Sequence, residues 1–184
     1  VFIGALQERF SGDNQAGLPW YWGEHPTPEE SEDNSEEAPR KLYIESKYSP
    51  FPDAQGPRPG LFVGRGRFQF MKLVLGHRAE TNIPTRDQTF TTRAVVPITV
   101  DCVSREPGES ETLADIVAFF LLSCSPLLRE RYGLHDISPP EISEPQPKKD
   151  SADSTYEWIT TVAVMVEPVF TWRTRADAPV LQDM

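Results

Sequence analysis

The spacing of hydrophobic residues predicts one long helix, over residues 109–133. Apolar side chains recur there at steps of three and four residues, a period that places them on one helical face. These side chains are Leu113, Ile116, Val117, Phe120, Cys124 and Leu127. Because Phe119, Leu121 and Leu122 widen the apolar face, we expect the helix to be covered on more than one side.

Residues near both ends of this segment are typical of helix termini. Ser110 has a hydroxyl that caps free N–H groups, and Gly133 favours the left-handed conformation in which helices end. Arg129 and Arg131 carry positive charge near the last carbonyl groups. Pro126 lacks an N–H, so we expect it to bend or break the helix.

Most other apolar positions alternate with polar ones, as in half-buried strands. This alternation predicts strands over residues 41–48, 61–67, 68–76, 90–104 and 156–167.

Prolines and polar runs interrupt the predicted strands. Pro97 lies inside the longest of the earlier strands and cannot donate to a ladder, so we expect an edge position or a bulge there. Pro168 interrupts the last strand, which residues 169–175 resume. Residues 134–142 indicate a short strand with a proline break, and residues 143–154 indicate a polar loop or arm.

The order of these elements predicts an α+β fold. An antiparallel β-sheet packs against one long helix, with an N-terminal helix and extended loops and arms. The 184 residues suit one domain. We divide that domain into an N-terminal helix (1–16), an acidic aromatic extension (17–40), an α+β core (41–175) and a C-terminal arm (176–184).

The amino-acid composition disfavours two classes of binding partner, nucleic acids and membranes. The net charge of −10, without a cluster of basic residues, disfavours binding to nucleic acid. Residues 24–37 contain seven acidic residues and no Lys or Arg. No apolar run reaches the length that spans a membrane, so we expect no membrane partner. The 18 prolines are typical of extended connections around a smaller core.

Three neighbouring aromatic residues, Trp20, Tyr21 and Trp22, are candidate interaction residues. One interpretation is a loop that inserts its aromatic side chains into the chain's own core. The other is an anchor into a neighbouring subunit, because aromatic residues dominate interface energetics.

Arg65, Arg67 and Trp172 are further candidate interaction residues. The two arginines belong to a Gly-Arg-Gly-Arg run that indicates a tight turn between two strands. At such a turn their guanidinium groups can pair with acidic groups of a neighbour. Trp172 is expected in the core or at an interface.

The sequence contains no motif that indicates catalysis. The three histidines, His25, His77 and His135, lack the spacing of metal ligands. Cys102 and Cys124 are expected to be buried free thiols in a reducing compartment. We therefore expect no enzyme activity, metal or cofactor.

The layout resembles the tail terminators and neck (tail-completion) proteins of tailed bacteriophages. In that family an apolar strand leads through an acidic turn into a helix that begins E-x-L-A-D-x-V. The matching residues are Glu111, Leu113, Ala114, Asp115 and Val117. The similarity extends over residues 61–172, whereas residues 17–39 and 143–154 are additional to the family's usual length.

This resemblance implies a structural virion protein. Such proteins form a ring, usually of six subunits, that ends the tail tube and joins tail to head. Its partners would be further copies and other neck, connector and tail-tube proteins. DNA would pass through the lumen without specific binding. The protein would assemble in the host cytoplasm and would catalyse nothing.

The sequence also allows a different class of protein. In this alternative, a soluble adaptor docks onto one basic partner through its acidic and aromatic segment, residues 20–37. The two hypotheses differ in the number of contact surfaces. A ring subunit needs two complementary surfaces because its head-to-tail contacts must close, whereas an adaptor needs only one.

Overall fold

The computed structural model describes residues 1–11, 18–23, 40–48, 59–71, 80–81, 88–149 and 156–174. Within these ranges the chain forms two helices, α1 (Phe2–Arg9) and α2 (Pro107–Tyr132). The strands, in chain order, are β1 (Trp20–Tyr21), β2 (Arg40–Lys41), β3 (Tyr43–Ser46), β4 (Gly60–Arg65), β5 (Gln69–Phe70), β6 (Glu80–Thr81), β7 (Gln88–Ser104), β8 (Leu134–Ile137), β9 (Glu141–Ile142), β10 (Gln146–Lys149) and β11 (Tyr156–Thr174).

Two long antiparallel strands, β7 and β11, form the centre of the main sheet, whose strand order is β10-β11-β7-β4-β3. Strands β5 and β6 pair with β7 on the same edge as β4, farther along the strand. Strands β9 and β8 pair with β11 on the same edge as β10. Among the described strands, β3 pairs in parallel with β4, and β1 pairs in parallel with β2 in a separate two-stranded sheet. The predicted α+β fold, with a mostly antiparallel sheet packed against one long helix, is confirmed.

The core lies between this sheet and α2. Even-numbered side chains of β7 and β11 face the helix because successive residues of a strand point to opposite sides. The buried members of this layer are Thr92, Ala94, Val96, Ile98, Val100, Cys102, Ser104, Thr160, Val162, Val164 and Val166. The helix contributes Leu113, Ala114, Val117, Ala118, Leu121 and Leu128. Burying each large aliphatic side chain stabilises the fold by about 1.5–3 kcal/mol.

The N-terminal helix closes one side of the core. Phe2 and Leu6 of α1 are buried, and so is Phe10, just after the helix. The predicted helix at the start of the chain is therefore confirmed, although it ends at Arg9.

The start of α2 differs from the prediction. Pro107 occupies the first turn, where its missing N–H costs nothing, and Glu106 is the N-cap residue without a side-chain cap. Ser110 is not the cap. Its buried hydroxyl donates to the Pro107 carbonyl at 2.8 Å and lies 3.0 Å from the Thr160 hydroxyl.

The later part of α2 matches the prediction at one of two points. Gly133 ends the helix at φ 62°, and its N–H donates to the Arg129 carbonyl, so the predicted C-cap is confirmed. Pro126 does not break the helix, which continues to Tyr132. Packing of the flanking turns on the sheet keeps the helix continuous despite the missing donor.

Pro97 lies in a central strand and not at an edge. β7 has β11 on one side and β4 and β5 on the other. Pro97 accepts a hydrogen bond from Gly66, in the gap between β4 and β5, where a missing N–H costs little. Both strands pair with β7 in the same direction, so the predicted tight turn at 64–67 is wrong. The chain instead continues along β7.

Two further strand predictions need correction. Residues 146–149, predicted as part of a polar loop, form β10 and pair with the start of β11. Pro168 shifts the register with β8, but the pairing of β11 with β7 continues in one register to Thr174. The acidic run 24–37, most of the predicted strand 68–76 and the arm 176–184 lie outside the described residues.

Among the described residues, α2 is one helix whose length and composition would allow it to cross a membrane. The expectation that no apolar run reaches that length is therefore wrong. Core helices pass the same criterion, and α2 packs one face on the sheet.

Candidate functional site

A polar cluster at the start of α2 holds the Trp20 segment in place. The Glu109 carboxylate accepts a hydrogen bond from Trp20 Nε1 at 2.9 Å and another from the Ser104 hydroxyl. The Arg40 guanidinium lies 3.5 Å from the same carboxylate. These contacts join β1, β2 and the end of β7 to the first turn of the helix.

This cluster explains where the three aromatic candidates lie. Trp20 and Tyr21 are buried, each 4% exposed, in the chain's own core, as the first interpretation has it. They are therefore not exposed for contact with a neighbouring subunit. Trp22 is half-buried and packs against the same core.

The outward face of α2 forms an open apolar groove of about 780 Å³, which we call the α2 groove. Its apolar lining includes Leu18, Ile116, Phe119, Phe120, Leu122 and Pro140. The sheet covers one side of α2 and α1 lies beside another, where Arg131 pairs with Glu8 at 4.0 Å. In the described ranges, the expected cover does not extend over Phe119 and Leu122. Phe119 is 72% exposed and Leu122 is 54% exposed.

Polar groups mark the borders of the α2 groove. Asp115, one helical turn before Phe119, and Arg9, from the end of α1, both line it. Large exposed apolar side chains grouped beside charged groups are typical of an interaction site. The α2 groove is therefore a candidate contact surface.

A second exposed apolar surface lies where β7 and β11 extend past the helix. We call it the aromatic end, and it consists of Phe68, Phe70, Phe90, Phe170 and Trp172. The ring of Phe170 lies 5.9 Å from that of Phe68 and 5.8 Å from that of Phe70. Phe90 and Trp172 stack at 5.6 Å with an interplanar angle of 13°.

The aromatic end is preformed but open to solvent. Phe70 is 64% exposed and Trp172 is 41% exposed. Edge-to-face and offset-stacked contacts stabilise each aromatic pair by about 0.5–1.5 kcal/mol, so the cluster keeps its shape without a partner. The Arg65 guanidinium lies 4.6 Å from the centre of the Phe68 ring, a cation–π contact.

The backbone at the aromatic end also has an open edge. On its outer side, β11 pairs in turn with β10, β9 and β8, and the last of these pairs is Pro168 with Leu134. Beyond Pro168, β11 pairs only with β7 in the part of the chain that the structure describes. Residues 169–174 extend this edge by roughly 20 Å. Unpaired strand edges favour pairing with another chain.

The six predicted interaction residues fall into two groups. Arg65 and Trp172 lie together at the aromatic end, and the exposed Arg67 is next to it in sequence. Trp20, Tyr21 and Trp22 belong to the core beside the start of α2.

Sequence reasoning did not identify Phe119, Leu122 and Phe70 as exposed, or the half-buried Phe90 as part of a surface cluster. The excess of apolar side chains around α2 was the available signal, and it was interpreted as a second layer of cover. Nothing in the strand pattern distinguishes Phe70 and Phe90 from core residues.

The opposite face of the sheet carries paired charges. Lys47 lies 2.5 Å from the Asp101 carboxylate, which also accepts a hydrogen bond from the Thr161 hydroxyl at 2.8 Å. Arg93 and Glu167 form a second ion pair at 3.6 Å. Such pairs are typical of a hydrated sheet face, so this face is a weaker candidate than the two apolar surfaces.

Both cysteines are free thiols. Burial raises the pKa of the Cys102 thiol far above its usual range, and the negative charge of Asp101 adds to this effect. Cys124 is only half-buried and lines the α2 groove. His135 is exposed, and the other two histidines lie outside the described residues. In the described ranges, no three His, Cys, Asp or Glu side chains are grouped to hold a metal ion.

No protein-family model matches this sequence, and no curated protein is significantly similar to it.

Proposed function

We propose that this protein is a structural subunit of a phage neck or tail, which assembles into a closed ring that ends the tail tube and joins it to the head. The observation that carries the proposal is the presence of two separate exposed apolar surfaces, the α2 groove and the aromatic end. The virion location rests on the resemblance of the strand-turn-helix pattern at residues 95–117.

Two unlike surfaces suit head-to-tail assembly. A twofold dimer uses one self-complementary patch, whereas a ring subunit presents one patch to the neighbour ahead and a different patch to the neighbour behind. One surface here is a concave groove on a helix, and the other is a protruding end of a sheet. Their difference in shape supports a ring over a simple dimer.

The net charge agrees with a conduit for DNA. A chain with a net charge of −10 repels a polyanion, so DNA would slide past such a wall without adhering. We expect part of the acidic excess to face the lumen. A ring whose pore is lined with Lys and Arg would contradict this expectation.

The adaptor hypothesis has less support. It needs an exposed aromatic anchor at residues 20–22, but Trp20 and Tyr21 are buried and held by Glu109 and the core. It also needs only one contact surface, whereas the chain exposes two.

Native mass spectrometry over a range of concentrations tests the ring. We expect one closed oligomer, of six subunits by the family resemblance, and electron microscopy of the same sample should show an annulus with a lumen. A chain that remains monomeric at every concentration, or that stops at a dimer, would overturn the proposal. A run at high salt is the control for assembly by nonspecific charge attraction.

A further inference from the structure

We propose that the aromatic end of one copy inserts into the α2 groove of the next copy. This inference rests on the proposed function, because it names the two surfaces that meet in the ring. Experiments can show that these two surfaces do not meet even if the protein does form a ring.

The two surfaces match in shape and in apolar character. The groove offers about 780 Å³ of open space lined by the exposed rings and chains of α2. The aromatic end presents Phe70 and Trp172 at its surface. An aromatic side chain buries roughly 150–250 Å² in full, so Phe70 and Trp172, at 64% and 41% exposure, still have roughly 160–260 Å² to bury. A stable interface needs about 800 Å² from each partner, so the two rings supply about a quarter of that area.

Charge complementarity favours a second copy as the occupant of the groove. Among the described residues at 65–71, 89–92 and 169–173 there are three arginines and no carboxylate. These arginines are exposed. Beside the groove, Glu111 and Asp115 are exposed on α2. The groove lining itself has one acidic residue, Asp115, and one basic residue, Arg9, and Glu80 of β6 pairs with Thr89 at the aromatic end. The three exposed arginines of that end therefore outnumber its carboxylate, and they can meet Glu111 and Asp115 of the next copy. Such complementarity sets register and partner choice.

The geometry prevents a copy from filling its own groove. The groove opens on the side of α2 that faces away from the sheet. The aromatic end lies on the sheet, past the residue pair Pro168 and Leu134 that follows the end of α2. The contact is therefore between copies. It joins unlike surfaces, so it repeats from copy to copy until the ring closes.

The open edge of β11 adds a second element to the same contact. Beyond Pro168 this edge has no strand partner among the described residues. When the aromatic end enters the next copy, that copy can also add strand hydrogen bonds along this edge.

Mixing two complementary variants tests the pairing. Phe119→Glu blocks the groove and Phe70→Glu blocks the aromatic end, and both side chains are largely exposed, so each variant should fold. Each variant alone should be monomeric. An equimolar mixture should form a one-to-one dimer, since one intact groove and one intact aromatic end remain. Labelling one variant with ¹⁵N lets native mass spectrometry distinguish this dimer from a dimer of like chains.

A matched control replaces an exposed aromatic residue outside both surfaces. Tyr156, at the opposite end of β11, is 61% exposed, and Tyr156→Glu should assemble like the unaltered chain. Circular dichroism should show the same fold in all variants.

The alternatives give distinct results. If Phe70→Glu alone still forms dimers, two grooves meet each other. If Phe119→Glu alone does so, two aromatic ends meet. Either result overturns the pairing, as does unchanged assembly of both variants, while the ring proposal is retained if the unaltered chain forms a ring. A monomeric unaltered chain instead overturns the proposed function.

Charge reversal provides an independent test. Arg65→Glu with Arg67→Glu should weaken assembly by about tenfold and leave the monomer folded. Adding Glu111→Arg and Asp115→Arg to the same chain should recover most of that loss, since the attraction is restored with opposite signs. The pairing would be overturned if assembly weakened further in the variant with all four substitutions, or if the first two substitutions had no effect on assembly.

Discussion

Trp20 on β1 donates its indole N–H to the Glu109 carboxylate in the first turn of α2, at 2.9 Å and across 89 residues of sequence. This hydrogen bond holds β1, which precedes the acidic run 24–37, against the N-terminus of α2. It also explains why an aromatic residue in a Pro- and Gly-rich stretch is buried. The segment gains a charged acceptor, and Glu109, at 14% exposure, gains donors that compensate for its partial burial.

Removing the donor of this bond should destabilise the fold. Trp20→Phe retains an aromatic ring but leaves Glu109 without the indole N–H, so we expect the free energy of unfolding to fall by about 1–3 kcal/mol. Urea denaturation followed by circular dichroism measures this change. Trp22→Phe, at the half-buried neighbour, is the control and should cost less. Equal losses in the two variants would show that ring volume, and not the hydrogen bond, matters at Trp20.

The buried hydroxyl pair Ser110 and Thr160 should be energetically coupled. Their oxygen atoms lie 3.0 Å apart and join α2 to β11, and both residues are fully buried. A double-mutant cycle with Ser110→Ala and Thr160→Val should give a coupling energy of about 1 kcal/mol. The exposed hydroxyl pair of Thr91 and Thr171, at 3.4 Å, is the matched control and should show almost none. Similar coupling in both pairs would contradict a role for burial.

Gly66 should not accept a larger side chain. A Cβ added there would lie 2.4 Å from Cγ of Pro97, whose ring is rigid and part of a central strand. Gly66→Ala should therefore lower the free energy of unfolding by about 1–3 kcal/mol through overpacking. Gly108→Ala is the control, because its Cβ would meet nothing within 4 Å and alanine favours the helix. It should leave stability unchanged or raise it by up to about 1 kcal/mol. Thermal unfolding of the two variants measures both changes in stability, and equal stability of the two variants would contradict this prediction.

The buried thiol of Cys102 should make the protein less stable at alkaline pH. The pKa of this thiol is raised in the folded state, chiefly by burial, so the folded chain holds its proton after the unfolded chain has lost it. The stabilisation is fully present below the unfolded pKa, about 8.5, and is lost as the pH rises above it.

The contribution of this thiol can be measured from how the free energy of unfolding changes with pH. Above pH 9 the thiol should contribute up to about 1.4 kcal/mol per pH unit. In Cys102→Ala that contribution should disappear, although the variant is less stable at neutral pH because the buried sulfur is lost. Urea denaturation at a series of pH values measures both slopes, and equal slopes for the two chains would contradict the argument.

Hydrophobic periodicity alone was enough to predict the elements that carry their own local signal. The apolar spacing of α2, the alternation of β7 and β11 and the terminating role of Gly133 all appear in the sequence, because side-chain period and glycine conformation are local properties. The α+β class follows from the order of these elements.

Contacts distant in sequence decided the remaining features. Trp20 is buried because Glu109 and Ser104 come together beside it, and Pro97 fits a central strand because Gly66 lies opposite. Neither pairing has a signature in the neighbouring residues.

The candidate surfaces show the same division. The apolar spacing shows that α2 has more apolar residues than one face needs. Which of them stay exposed depends on the three-dimensional packing, which places the sheet on one side of α2 and leaves Phe119 and Leu122 exposed, as it does Phe70 and Trp172. Hydrophobicity records that a side chain favours burial, whereas the packing of distant segments determines whether the same chain can bury it.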